Sequence, residues 1–226
     1  MKFGVLFSGG KDSVLALHLA AKRGQVVCLI TVVSKNKESY MFHTPNVDIT
    51  ELQAQALGLP LVSVETDGCK EEELIDLEGA ILRAKTMFGI DTVVTGVVAS
   101  VYQLERVQKI CNSLGLECFN PLWKYNQRAL LECLVENNFK VVISGVFAYP
   151  LDESWLGKLL DQSVILRFLE LSVRWGISIV GEGGEIETTV LDAPLFKCEI
   201  RVVDSELMWD GISGVYIIKK VELIPK

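Results

Sequence analysis

Phe3-Gly4-Val5-Leu6-Phe7 runs straight into Ser8-Gly9-Gly10-Lys11-Asp12-Ser13, and Val14-Leu15-Ala16-Leu17 follows at once. A short apolar run meeting a glycine pair and then an amphipathic repeat reads as strand, turn and helix. The two glycines let the backbone turn sharply and bring its N–H groups up to an anion. The helix start adds unpaired donors and about half a positive charge. Ser8 and Ser13 offer hydroxyls, Lys11 a mobile cation, and Asp12 a carboxylate able to orient Mg²⁺ or its waters. Neither G-x-x-x-x-G-K-[ST] nor G-x-G-x-x-G is present. The alternative is an ordinary glycine turn, but six such residues between a strand and a helix favour a phosphate-holding loop.

Outward from this loop, the first half of the chain alternates. Strands are expected at 3–8, 26–33, 61–65, 92–98 and 117–120, and helices at 12–23, 49–57, 71–87 and 102–114. Near-continuous Val/Ile/Leu strands between amphipathic helices mean an α/β fold, a doubly wound parallel sheet covered on both faces. Its ligand should bind beyond the carboxyl ends of the strands, where strand order reverses. After about Pro121 the texture changes, and all four tryptophans (Trp123, Trp155, Trp175, Trp209) lie beyond it. Helices at 127–137 and 164–175, strands at 141–146 and 177–180, and an antiparallel pair at 198–203 and 215–223 suggest a second, smaller α+β domain. The division expected is 1–121 for nucleotide binding and 122–226 for the acceptor.

Half of the 226 residues are hydrophobic, enough for a real core, and the net charge is −7. An acidic chain without a basic stripe argues against gripping a nucleic-acid backbone. None of the six cysteines stands in a C-x-x-C pair; they read as small buried hydrophobes in a reducing compartment, with no zinc spacing. The N-terminus reads as a buried strand and not a signal peptide, and no apolar run has the roughly 18 residues a spanning helix needs. The expectation is a soluble cytoplasmic protein with no membrane and no direct nucleic-acid partner.

Ser-Gly-Gly-Lys-Asp-Ser resembles the PP-loop of the N-type ATP pyrophosphatases, which share a HUP-like doubly wound domain. Such enzymes cut ATP between its α- and β-phosphates and adenylate a second substrate. Three further stretches narrow the resemblance. They are Tyr40-Met41-Phe42-His43-Thr44-Pro45-Asn46, then 95–107 (beginning Thr95-Gly96-Val97-Val98-Ala99-Ser100-Val101-Tyr102), and Gly181-Glu182-Gly183-Gly184-Glu185-Ile186-Glu187-Thr188-Thr189. With the loop they resemble the diphthine–ammonia ligase family over nearly the whole chain. The 97–100 turn departs from the more serine-rich form expected there. The resemblance implies amidation of diphthine, a modified histidine on translation elongation factor 2, with ammonium, ATP and Mg²⁺, giving diphthamide, AMP and pyrophosphate. It implies a nucleotide site at Ser8, Gly9, Gly10, Lys11, Asp12, Ser13 and Gly96, with Asp12 toward the metal. It also implies an acceptor site at His43, Tyr102, Arg106, Glu182, Gly183, Gly184, Glu185 and Glu187, with Lys11, Asp12, Glu185 and Glu187 catalytic.

The residues also speak for themselves. Glu182, Glu185 and Glu187 crowd around two glycines, and alternation in an extended segment puts Glu185 and Glu187 on one face. They can coordinate Mg²⁺, hold ammonium, act as a general base, or form a solvated acidic turn. Tyr102 and Arg106 share a helix face, where the guanidinium can fork onto a phosphate or carboxylate or make a surface ion pair. His43 is a polar loop residue or touches ATP or the acceptor imidazole; His18, inside a helix, reads as packing or surface. Diphthine carries a trimethylammonium group beside its carboxylate, so Tyr102, Trp123, Glu185 and Glu187 are candidates to receive it. Rivals on the same loop are amidation in corrinoid salvage and a module that senses ATP without cleaving it. A tRNA-thiolating enzyme would need a reactive cysteine and a basic face, and no glutaminase nucleophile is evident, so free ammonium is the expected nitrogen source.

Overall fold

A computed structural model describes residues 1–35, 46–69 and 71–226. The first sheet is parallel throughout. Its strands are β1 (Lys2–Leu6), β2 (Gln25–Ser34), β3 (Leu61–Thr66), β4 (Thr92–Val94) and β5 (Glu117–Phe119), in spatial order β3-β2-β1-β4-β5. Helices α1 (Lys11–Ala21), α2 (Thr50–Leu57), α3 (Glu73–Phe88) and α4 (Val101–Ser113) make the crossovers.

Strand alternation sends side chains to two cores. Phe3, Val5 and Phe7 of the first strand and its extension join Leu29 and Val94 against α1 and α2. Cys28, Ile30, Val32 and Val93 face the other way, onto Leu77, Ala80, Ile81 and Ala84 of α3 and Val107 and Ile110 of α4. The doubly wound expectation is borne out. Truncating a fully buried side chain here, such as Ile81, to alanine would cost about 2–5 kcal/mol. Helix α3 ends at Gly89, which takes the left-handed conformation (φ 63°) that lets a helix stop.

The second sheet is antiparallel, in order β7-β6-β9-β8, from β6 (Lys140–Val146), β7 (Ile186–Asp192), β8 (Cys198–Trp209) and β9 (Gly214–Pro225). Helices α5 (Gln127–Glu136) and α6 (Gln162–Trp175) accompany it. Asn126 and Asp161 cap these helices by accepting the N–H groups of Ala129 and Val164. Its inner side chains share one core with α1 and α2, so the two sheets are packed together through those helices. His18 of α1 is one joint: its Nδ1 lies 2.7 Å from Val14 O, and its Nε2 accepts the Leu195 N–H at 3.1 Å. Those bonds require a neutral ring, and burial lowers its pKa to about 4.

Three expectations change. The fourth strand ends at Val94 rather than 98, because the chain leaves the sheet to pass over α1. No strand forms at 177–180; Ile177, Ile179 and Val180 are buried from a turn, and the strand lies at β7 instead. The β8–β9 pair is longer than 198–203 and 215–223, closed by Asp210, whose Oδ1 accepts from Ile212 and Ser213. All six cysteines are free. Among the described residues no helix is long and apolar enough to cross a membrane.

Candidate functional site

Strand order reverses between β1 and β4, and a cavity of about 650 Å³ opens beyond their carboxyl ends. Its apolar side carries Ile30, Val32, Leu77 and Val97. Its polar side is the loop after β1, the turn after β4, and the segment leading into β7. A volume of this size suits a nucleotide.

The phosphate loop is anchored by the second sheet. Gly9 turns with φ 77°, and its carbonyl accepts hydrogen bonds from Val190 N (3.0 Å) and Gln53 Nε2 (2.9 Å). Gln53 Nε2 also donates to Val190 O at 2.7 Å, tying loop to strand. Gly10 caps α1 without any side-chain cap, Lys11 N–H donates to Thr188 Oγ1 (3.2 Å), and the first intrahelical bond is Val14 N–H to Gly10 O. The N–H groups of Asp12 and Ser13 therefore have no helical partner, and both residues line the cavity. Gly96 presses on the same helix start: a Cβ there would lie 2.8 Å from Asp12 C and Ser13 N. Ser8 Oγ donates to Ser13 Oγ (3.3 Å) and Ser13 Oγ to Gly10 O (3.0 Å).

Lys11 is only 3% exposed. Far from being mobile, its ammonium is held by Asp12 Oδ2 at 2.8 Å and by Val180 O at 2.5 Å. Asp12 Oδ1 is buried and accepts no hydrogen bond among the described residues. An unpartnered carboxylate oxygen on a residue that lines an anion site suits Mg²⁺, which takes one or two carboxylates and fills its shell with phosphate and water. No group of three metal-type side chains gathers among the described residues, so Asp12 would be the protein's contribution.

The three glutamates separate. Glu187 lies on β7 at the cavity wall, where loss of solvent raises its pKa to about 7; Lys11 opposes that rise and Asp12 adds to it. Glu182 Oε2 accepts the Ala99 N–H at 3.0 Å, joining the β7 approach to the β4 turn; burial first, then the Asp12 charge, raise its pKa. Glu185 is turned back into its own loop, accepting from Ser178 N and Gly183 N at 2.9 Å each. Because β7 begins at Ile186, the alternation that would align Glu185 with Glu187 does not reach Glu185. Gly183 and Gly184 line the cavity.

Tyr102 and Arg106 do share a face of α4, but outside the cavity lining. The Arg106 guanidinium lies 3.4 Å from the centre of the Tyr102 ring and donates to Glu71 Oε1 at 2.6 Å. Ser100 caps that helix, accepting from Gln103 N. Trp123 also stands away from the lining, with Lys124 Nζ 5.9 Å from its ring. His43 lies outside the described residues.

Sequence reasoning missed Gln53, Thr188, and the Thr95 hydroxyl that bonds Asn120 Oδ1 beside the β4 turn. Gln53 alone carried a signal, an amide beside Leu52, Ala54, Ala56 and Leu57 on one short helix, and the structure buries it fully.

Two family models match the chain, described as the diphthamide synthase N-terminal domain, over residues 1–118, and its C-terminal domain, over 126–224. Curated relatives include the diphthine–ammonia ligase of Bos taurus, 35% identical over 99% of this chain and 92% of that protein. That of Mus musculus is 37% identical, with 100% and 96% covered, and that of Homo sapiens 34%, with 99% and 92%. A solved Methanocaldococcus jannaschii protein, described as a predicted subunit of tRNA methyltransferase, is 20% identical over 86% of this chain and 98% of that one. Its TM-score of 0.45 is too low to carry an argument.

Proposed function

Since the chain belongs to the diphthamide synthase family, both of whose domains it carries, we infer that it is an ATP-dependent diphthine–ammonia ligase. The acceptor is diphthine on translation elongation factor 2, the nitrogen comes from ammonium, and the work is done in the cytoplasm. ATP supplies an adenylyl group to the acceptor carboxylate, releasing pyrophosphate, and ammonia then displaces AMP to leave the amide and a proton.

What supports this reading is that one cavity joins a helix start, a buried lysine and two carboxylates of raised pKa. The Asp12 and Ser13 N–H groups at the helix start and the Lys11 ammonium would meet the charge that grows on leaving pyrophosphate; such preorganised donors act without reorganising. Asp12 would hold Mg²⁺ through its carboxylate. Ile30, Val32 and Val97 offer the apolar wall an adenine ring needs. Glu187, with a pKa near neutrality, is suited to take the proton that ammonium must lose. Glu182 and the Gly183-Gly184 turn border the acceptor's approach, and the Glu185 carboxylate sets that turn's shape.

The reading is tested by following nucleotide products with a diphthine-bearing acceptor, ammonium and Mg·ATP. AMP and pyrophosphate should form only when the acceptor is present; ADP and phosphate would overturn it.

A further inference from the structure

Three large aromatic side chains stand exposed beside the carboxylate loop. Phe147 is 36% exposed, Tyr149 73% and Trp175 45%. They come from two different segments, the loop leaving β6 and the end of α6, yet they make one rim. Tyr149 and Trp175 meet edge to face with centroids 5.0 Å apart. The Phe147 N–H donates to Glu185 O at 2.9 Å, tying the loop that leaves β6 to the turn before β7.

The rim continues inward to the site. Gly145 pairs with Glu187 across β6 and β7. A Cβ at Gly145 would lie 2.6 Å from Phe147 Cε2 and 3.0 Å from Glu187 Cβ. The missing side chain is what lets the Phe147 ring fold back beside Glu187, which lines the cavity. Phe147 thus stands beside the cavity residue Glu187, the Tyr149–Trp175 pair begins two residues along the same loop, and Glu185 is bonded to Ser178, three residues past Trp175.

Rings with exposed faces next to carboxylates attract a soft cation, above all one too bulky to hydrogen-bond. Trp175 has the Arg174 guanidinium 5.2 Å from its centre and packs its ring against Tyr149. No cation is stacked on Phe147 or Tyr149 among the described residues. By contrast, Tyr102 and Trp123 hold Arg106 and Lys124 on their rings and stand off the cavity lining.

We propose that Phe147, Tyr149 and Trp175 form the subsite for a quaternary ammonium group on the acceptor side chain. This rests on the ligase reading above. It places the trimethylammonium of diphthine at the cavity mouth with the adjoining carboxylate turned toward Glu187, so the rim selects an acceptor that carries both groups. Tyr102 and Trp123 are replaced in this role.

Binding of tetramethylammonium chloride to the intact, nucleotide-free protein tests the rim without any catalysis. Its aromatic NMR signals should shift at Phe147, Tyr149 and Trp175, with equal potassium chloride causing no shift. Tyr149→Leu with Trp175→Leu should weaken that binding about tenfold or more, and Trp175→Phe should retain most of it. In turnover, the double variant should raise KM for the diphthine-bearing acceptor about tenfold while KM for ATP stays within twofold. Absence of rim shifts, shifts matched by potassium, or an unchanged acceptor KM overturns the proposal. If the wild-type protein binds tetramethylammonium at the rim but amidates no diphthine, the ligase reading falls and the cation subsite stands.

Discussion

The ammonium of Lys11, at the first turn of the first helix, touches the carbonyl oxygen of Val180, 169 residues further along the chain, at 2.5 Å. That contact, with Val190 N–H on Gly9 O and Thr188 Oγ1 on Lys11 N–H, makes the phosphate loop a product of both sheets. The loop offers the anion site its donors, and the second sheet sets where they point.

Lys11→Ala should lower acceptor-dependent AMP formation by about 10²–10³-fold, because it removes a cation facing developing charge. Lys11→Arg should recover little, since the buried ammonium is held as a compact head by Asp12 Oδ2 and Val180 O, a pairing a longer planar fork does not reproduce. Recovery to within threefold by arginine would show that charge alone suffices.

Gly96→Ala places a methyl group 2.8 Å from the backbone of Asp12 and Ser13, which cannot swing aside as a side chain could. Overpacking of this kind costs about 1–3 kcal/mol. The helix start must shift, so nucleotide affinity should fall together with stability. Calorimetric titration with ATP and a thermal melt read both; unchanged affinity would show that Gly96 is a passive turn residue.

Glu185→Gln keeps the shape of the side chain but leaves only one acceptor oxygen for two N–H donors, Ser178 and Gly183. The turn that carries Gly183 and Gly184 should loosen. Amidation should fall at least about tenfold, the worth of one charge-assisted hydrogen bond, while ATP binding stays intact. Lost ATP affinity with normal chemistry on bound ATP would move Glu185 to the nucleotide site.

Glu187 has a pKa near 7 against an ordinary 4.5, chiefly from burial. As a base it must be ionised, so at constant ammonium the rate should climb with pH and level off above about 7, a limb that Glu187→Gln removes. Stability runs the other way. Between pH 4.5 and 7 the folded state binds more protons at this site than the unfolded one, so its contribution declines as pH rises through that window. Glu187→Gln should therefore gain on the order of 1–2 kcal/mol at pH 8, after allowing for the solvent that still reaches this cavity-wall group, and little at pH 4. Paired melts at the two pH values check it; equal gains at both would show that the carboxyl is not buried against its charge.

The parts of this site that act through local chemistry were legible in the sequence. Ser8 to Ser13 lies between a strand and a helix in every reading of those residues, and the Val/Ile alternation dictates a parallel sheet whose ends must carry the ligand. What depends on distant backbone was not. Val180 acts through its carbonyl, which any residue has, and Gln53 through a strand 137 positions away. The strand at 177–180 was expected because Ile177, Ile179 and Val180 are more apolar than Glu187, Thr188 and Thr189. Yet that loop fills the core from a turn, while β7 buries both its threonines, Thr188 against the phosphate loop and Thr189 beside Asn46. Glu185 and Glu187, two positions apart, differ for the same reason: one lies in the turn and the other in the strand.

The measurement that bears most directly on the whole account is the mass of the modified histidine peptide. It would come from elongation factor 2 carrying diphthine, incubated with this protein, Mg·ATP and ammonium. Replacement of a carboxylate oxygen by nitrogen lowers that peptide by about one mass unit through displacement of the activated carboxyl by ammonia, and the account predicts this shift only when ATP and ammonium are both present. An unchanged peptide, alongside AMP formation with a corrinoid carboxylate as acceptor, would contradict it.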